Sequence, residues 1–153
     1  MDVRKGYNNI RMKEGEEWKA AFKTNQGLFE PLVMFFGLCN SPGTFQTFMD
    51  HIFSELKTKG WVVVYMDDIL IFSMTLEAHQ EAIREVLKIL RENKLCLKPD
   101  KCEFHQNKIE FLGFIIGHGK VRMDPGKIEA VKEWKSPTTK KELQTFLGFA
   151  NFY

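Results

Sequence analysis

No apolar run approaches the ~18 residues a membrane helix needs, and no charged leader precedes an apolar stretch, so neither a membrane span nor a secretory signal is expected. Cysteine is scarce. Cys39, Cys96 and Cys102 form no CxxC pair and leave one thiol over, which predicts reduced, mostly buried cysteines in an intracellular protein. Cys96, Cys102 and His105 lie close in sequence, but their spacing fits no common zinc site and a fourth ligand is missing. Internal repeats and low-complexity linkers are absent. Net charge is only +2, too little to announce a polyanionic partner. Its distribution is uneven, with 8 Lys/Arg against 9 Asp/Glu through Met74 and 14 against 11 from Thr75 onward. That excess either faces phosphates or forms a solvated surface.

What the chain does contain is apolar mass: 44% hydrophobic residues and 14 Phe in 153, enough for one domain with a genuine core. The stretch around which the rest is organised runs from Val62 to Phe72. Two β-branched apolar runs flank Tyr65-Met66-Asp67-Asp68, which reads as a hairpin with adjacent carboxylates pushed out at its tip. Such a pair is either a solvated acidic turn or a site for a hard divalent cation, since neighbouring like charges need something positive beside them.

Along the chain, Asp2-Val3 reads as a strand end running into a turn or short helix over Gly6–Ile10. With only Met1 before it, Asp2 is expected on a frayed end, where the α-ammonium competes for its carboxylate. Trp18–Thr24 and Leu28–Met34 read as strands around Asn25-Gln26-Gly27, the second made irregular by Pro31. Asn40 caps a helix expected over 41–59, with Phe45, Phe48, Met49, Ile52, Phe53 and Leu56 on one face. Thr75 caps a second helix, to Asn93, whose Leu76, His79, Ile83, Val86, Leu87 and Leu90 share a face. Ile109–Ile116 reads as a strand or hairpin turned by Gly117-His118-Gly119. Asp124-Pro125 starts a helix through Trp134, and Thr139-x-x-Glu142 is a capping box for a last one. The order predicts an α+β fold, an antiparallel sheet with helices packed on one face.

Joining nucleotides takes two metal ions and therefore more acids than one hairpin tip supplies. Asp2 is the candidate third. The chain now resembles a known family: Asp2-Val3-x-x-Gly6-Tyr7, Phe36-Gly37-Leu38-Cys39-Asn40-Ser41-Pro42-Gly43-Thr44-Phe45-Gln46 and Tyr65-Met66-Asp67-Asp68 are similar, in order, to the first three catalytic motifs of reverse transcriptases. Leu95–Phe104 and Phe111-Leu112-Gly113-Phe114 resemble the later palm motifs. Val121–Tyr153, with Phe146–Tyr153, resembles the segment that follows the palm in gypsy-type retrotransposon polyproteins.

The resemblance implies a polymerase palm with partial fingers over 1–120 and the start of a thumb or connection segment over 121–153. It implies that Asp2, Asp67 and Asp68 are catalytic and bind two Mg²⁺ ions, or Mn²⁺. Val3, Tyr7, Phe36 and Gly37 would meet the incoming deoxynucleotide, with Tyr7 either excluding a ribose 2′-hydroxyl or simply packing in the core. Ser41, Pro42, Tyr65, Met66, Phe111, Leu112 and Gly113 would meet template and primer, the last three as a primer grip or as a plain core strand. Lys101 would protonate the leaving pyrophosphate, with Lys98 its competitor and a merely solvated lysine the third option. Implied partners are an RNA or DNA template with its primer, deoxynucleoside triphosphates, and the fingers, thumb, ribonuclease H and integrase parts of a parent polyprotein; no membrane is involved. The implied location is intracellular, in a cytoplasmic retrotransposon particle. Phe35 stands where the family usually has proline, and the strand before the first Asp, the triphosphate-gripping fingers and the later domains are not in this sequence. The expected function is therefore that of a fragment of an RNA-directed DNA polymerase. The alternative is a non-catalytic remnant that binds nucleic acid or a partner. A viral RNA-directed RNA polymerase palm is disfavoured by Tyr7 and by Asp68 after Asp67.

Overall fold

A computed structural model describes residues 1–151; Phe152 and Tyr153, the end of the motif-like stretch from Phe146, lie outside the described residues. The chain divides after His105 into two compact units, each considered by itself. The palm segment proposed from sequence, 1–120, thus runs across that division.

In the first unit, β1 (Val3–Arg4), β2 (Phe22–Thr24) and β3 (Gly27–Phe29) precede α1 (Ser41–Ile52) and α2 (Ser54–Thr58). The hairpin β4 (Val62–Tyr65) and β5 (Asp68–Ile71), the long α3 (Leu76–Glu92) and β6 (Cys96–Leu97) complete it. β4 pairs antiparallel with β5, and β1 with β6. A bridge between Asp2 and Asp68 joins the two pairs, flanked by hydrogen bonds from Val3 N–H to Asp67 O (2.9 Å) and from Ile69 N–H to Met1 O (2.8 Å). Asp2 is therefore not frayed as expected. It is held from one side by β5 and from the other by Lys98 N–H, which donates to Asp2 O at 3.0 Å. The α-ammonium is likewise spent elsewhere, donating to Ile69 O at 2.9 Å.

The strands alternate as a half-buried sheet should: Val62 and Val64 face the core, while Val63 and Tyr65 face out. Against that inner face pack Phe45 and Met49 of α1, Phe53, Leu56 of α2, and Val86 and Leu90 of α3, together with Val3 and Ile69. Burying each such side chain is worth about 1.5–3 kcal/mol, so packing rather than local propensity fixes the helices. The antiparallel α+β arrangement with helices on one face is as the sequence pattern reads.

Local expectations needed correction. The helix foreseen over 41–59 breaks at Phe53 (φ −101°, ψ 9°), which re-aims the chain while Phe53 itself stays fully buried. Asn40 makes no side-chain cap; Pro42 in the first turn does the starting. In α3 the core stripe is Ala82, Val86 and Leu90, one residue every four, so Leu76 and Leu87 point outward instead. Thr75 caps it as expected, accepting from Ala78 N–H at 3.2 Å. Glu17–Ala20 forms a 3-10 turn rather than strand, and beyond Pro31 the chain leaves β3 to pair with 10–12, Met12 N–H donating to Leu32 O and Met34 N–H to Ile10 O, both at 2.9 Å. Cys39 and Cys96 are exposed and Cys102 half-buried, against the expectation of burial. Cys96 sits on a two-residue strand paired with β1 alone, between the inward-facing Leu95 and Leu97.

The second unit is a meander, β7 (Lys108–Phe111), β8 (Phe114–Gly117) and β9 (Lys120–Met123), followed by α4 (Pro125–Lys132) and α5 (Lys140–Ala150). Asp124 caps α4 through Gly126 N–H, and the Thr139–Glu142 capping box is complete. Trp134 lies past the end of α4 and packs against Phe146 and Phe149, with ring centroids 5.8 and 5.3 Å apart. Among the described residues, no helix is long and apolar enough to cross a membrane.

Candidate active site

Tyr65 and Asp68 pair across the hairpin, leaving Met66 and Asp67 as its two turn residues. Met66 takes φ 50°, a left-handed conformation that costs a side-chain-bearing residue about 1–2 kcal/mol. Gln46 of α1 supplies compensation. Its Oε1 accepts from Met66 N–H at 2.6 Å, and its Nε2 donates to Val64 O at 3.3 Å and to Asp50 Oδ1 at 3.0 Å. Asp50 is in turn held by Lys57 at 2.6 Å, whose ammonium keeps that carboxyl below the usual carboxylate range. One glutamine thus fixes the tip at two backbone points.

The tip does not simply project into water. Asp67 is half-buried, and its Oδ1 is shut from solvent with no hydrogen-bond partner among the described residues. Gly6 lies against that oxygen: a Cβ there would collide with Asp67 Oδ1 and stand 2.7 Å from Phe45 Cζ. Burial raises the Asp67 carboxyl above its ordinary value; the charge of Asp2 raises it further, Lys98 opposes, and Asp68 adds a smaller push. Asp2 therefore acts on Asp67 more strongly than the adjacent Asp68 does.

Asp2, Asp67 and Asp68 are brought near one another by the bridge between Asp2, just before β1, and Asp68 at the start of β5. They are not converged on one point, and among the described residues no three acidic, histidine or cysteine side chains are grouped to hold one metal ion. The Asp2 carboxylate is engaged by Lys98 Nζ at 2.6 Å, with Lys101 Nζ further off at 3.8 Å. That hydrogen bond holds the Lys98 ammonium above its ordinary pKa. An orphaned buried carboxylate oxygen beside two further carboxylates is a donor set that suits a hard cation with oxygen ligands.

The other expected site residues fall into two groups. Tyr7 is half-buried beside the tip, its hydroxyl 3.9 Å from Met66 Sδ and its ring packed against Phe36 (4.9 Å, tilted) and Phe45 (5.7 Å, edge-on). Phe36 is 73% exposed and Gly37, at φ 105°, has open space over its α-carbon. Tyr65 is exposed, Met66 and Pro42 half so. By contrast Val3 and Ser41 are closed to solvent at 0% and 1%. Val3 packs in the core, and Ser41 Oγ donates to Phe35 O at 3.2 Å, tying down the loop before α1. In the second unit Phe111 ends β7, and Leu112 and Gly113 form the turn into β8. Gln46 and Gly6 stood in the recognised motifs without an assigned role. A polar residue abutting the apolar face of α1 was the available signal for Gln46, and a glycine between Asp2 and Tyr7 for Gly6.

Comparison with known proteins accounts for this arrangement. Residues 1–116 match the family described as reverse transcriptase (RNA-dependent DNA polymerase). The Transposon Tf2-3 and Tf2-7 polyproteins of Schizosaccharomyces pombe are 39% and 38% identical over 152 residues, 99% of this chain. The chain spans only 11% of the length of each. Among solved structures, the foamy viral protease-reverse transcriptase superposes with a TM-score of 0.87 in its dRH form with double-stranded DNA and 0.83 with an RNA/DNA hybrid. Both are 26% identical; the match covers 99% of this chain and 26% and 20% of theirs. With its palm-type fold, its acidic hairpin and its retrotransposon-polyprotein relatives, the chain belongs to the reverse transcriptase (RNA-dependent DNA polymerase) family.

Proposed function

We propose that the chain carries the nucleotidyl-transfer site of an RNA-directed DNA polymerase, in which a primer 3′-hydroxyl attacks the α-phosphate of a deoxynucleotide. The observation that carries this reading is the orphaned Asp67 Oδ1, buried beside Asp2 and Asp68 at a tip held by Gln46. Two divalent ions, Mg²⁺ or Mn²⁺, would supply charge stabilisation at the attacking and leaving oxygens. Asp2, Asp67 and Asp68 are the residues that would hold them. Gly6 leaves room for the Asp67 carboxylate, and Gln46 keeps the tip from drifting, which matters because positioning is the main source of catalysis in phosphoryl transfer.

Tyr7 with Phe36 forms an aromatic shelf beside the tip, suited to press on the sugar of an incoming nucleotide and exclude a 2′-hydroxyl. Gly37 admits close backbone approach. Lys101, 59% exposed and 3.8 Å from Asp2, would give a proton to departing pyrophosphate. Tyr65, Met66 and Pro42 would touch primer and template, and, considered by itself, so would the end of β7 at Phe111 with its Leu112-Gly113 turn. The remaining parts of a parent polyprotein would supply the grip on triphosphate and duplex.

A second reading has its own support. The three carboxylates are not converged, which suits a remnant that binds nucleic acid or a partner without catalysis. Primer extension on an RNA template separates the two, with this chain tested alone and joined to flanking segments of a Tf2-type polyprotein. Mg²⁺-dependent extension that vanishes in Asp67→Asn is expected from the joined protein. Its absence there, in a folded protein that still binds primer–template, would establish the remnant.

A further inference from the structure

Lys98 is anchored more firmly than a solvated lysine. Its N–H bonds Asp2 O, while its own carbonyl accepts from Lys101 N–H at 3.1 Å and from Cys102 Sγ at 3.2 Å. From that fixed backbone the side chain reaches across to Asp2 Oδ1 at 2.6 Å, and the two side chains are only 33% and 17% exposed. An oxygen so engaged is not free to be an inner ligand of Mg²⁺, which bonds oxygen at about 2.0–2.1 Å and would bring two further positive charges against the ammonium.

We propose that Lys98 is a built-in counter-ion that stabilises the acidic cluster in the cation-free protein and releases Asp2 Oδ1 when a divalent cation binds. This rests on the reading of Asp2, Asp67 and Asp68 as the metal-holding set. It accounts for two features together. Asp2 stays bridged to Asp68 with Asp67 next to it, because the Lys98 ammonium sits on the Asp2 carboxylate and its charge also reaches Asp67. The three carboxylates are nonetheless not converged, because Asp2 is turned to Lys98. The arrangement has a signature of opposite signs. Removing the ammonium should tighten cation binding and, in the same molecule, weaken the cation-free fold. A plain structural ion pair would give the second effect without the first, and a simple proton donor neither.

The test uses the 153-residue chain and Mn²⁺, with free Mn²⁺ followed by its paramagnetic resonance signal and stability by thermal unfolding. Lys98→Met should lower the Mn²⁺ Kd about three- to tenfold and lower the metal-free Tm, while Lys98→Arg should keep both near the wild-type values. Lys101→Met, removing the longer and more exposed contact, should change Kd less. Lys98→Met that binds Mn²⁺ no more tightly than wild type would overturn the role of Lys98 and leave the metal site standing. No Mn²⁺ binding by wild type and Lys98→Met alike, indistinguishable from Asp67→Asn, would overturn both. A measurement on the wild type needs no variant: amine acetylation read by mass spectrometry should speed up at Lys98, relative to Lys94, on adding Mg²⁺. Unchanged labelling of Lys98 while Mg²⁺ raises Tm would equally refute the exchange.

Discussion

In β4–β5 and β7–β8 alike, a two-residue turn puts a residue with a full side chain into the left-handed region, Met66 at φ 50° in the first hairpin and Leu112 at φ 53° in the second. From there the two diverge. In the second, Gly113 also takes positive φ (79°), the arrangement whose twist suits a two-residue hairpin, and Gly113 O accepts from Asp124 N–H at 3.2 Å. None of its strand residues is fully buried. In the first, the second turn residue is Asp67 rather than glycine, three strand residues are buried, and the tip is gripped by Gln46, Val3 and Met1. A turn that closes by its own backbone preference needs no help. One that places a carboxylate against a buried surface persists only where its surroundings over-determine it, and such places are where chemistry is found.

The sharpest break in that contrast is chemical. Asp67→Asn in a complete polymerase carrying this segment should cut primer extension about a thousandfold or more, because several kcal/mol of charge stabilisation depend on that carboxylate. Leu112→Asn, a polar change at the other tip, should stay within about tenfold. Equal losses would mean that Asp67 holds the tip's shape rather than the reacting groups.

The next contrast is steric. Gly6→Ala should destabilise the first unit by about 1–3 kcal/mol, since its Cβ meets Asp67 Oδ1 and the fully buried ring of Phe45. It should also weaken Mn²⁺ binding. Gly119→Ala, in the β8–β9 turn, meets no described atom within 4 Å and pays only for its φ of 68°. Urea unfolding of both variants, with Mn²⁺ titration of the first, checks this. Normal Mn²⁺ affinity in a folded Gly6→Ala would show that Asp67 Oδ1 is not a ligand.

Gln46→Leu comes third. It strands Met66 N–H and Val64 O and should cost about 1–2 kcal/mol, read as a lower urea midpoint. Glutamine at that position was legible only as a polar residue beside an apolar stripe. The hairpin, the helix faces and the acidic pair were legible because each is a local pattern: alternation, a 3.6-residue period, two carboxylates between β-branched runs. Their exceptions come from contacts between distant residues. The break at Phe53 keeps one ring in the core, the turn of α3 onto Ala82, Val86 and Leu90 depends on what it packs against, and Asp2 is held by Lys98, just past β6 and 96 residues further on. No local pattern encodes that Lys98 lies on Asp2 or that Gly6 faces Asp67.

The smallest expected effect concerns pH. Burial first, and then Asp2, raise the Asp67 carboxyl above its ordinary value, so the folded state holds that proton more tightly than the unfolded chain does. The stabilisation from this difference is complete below the ordinary aspartate value and is lost as pH rises through the raised one. Above it, ionised Asp67 is a standing cost to the fold. Asp67→Asn keeps the shape and removes the charge. It should therefore be more stable than wild type at neutral pH, by at most about 1 kcal/mol for a group still partly in water, with the advantage closing as pH falls toward 4. Added Mg²⁺ should shrink the neutral-pH gap from the other side, raising the wild-type Tm and leaving Asp67→Asn unmoved. No comparable term exists at the Leu112 turn, where neither residue titrates. Urea unfolding at pH 4 and pH 7 reads the effect. A variant less stable than wild type at pH 7 would mean that the orphaned oxygen finds a partner in solution, and that the first hairpin holds its tip no more tensely than the second.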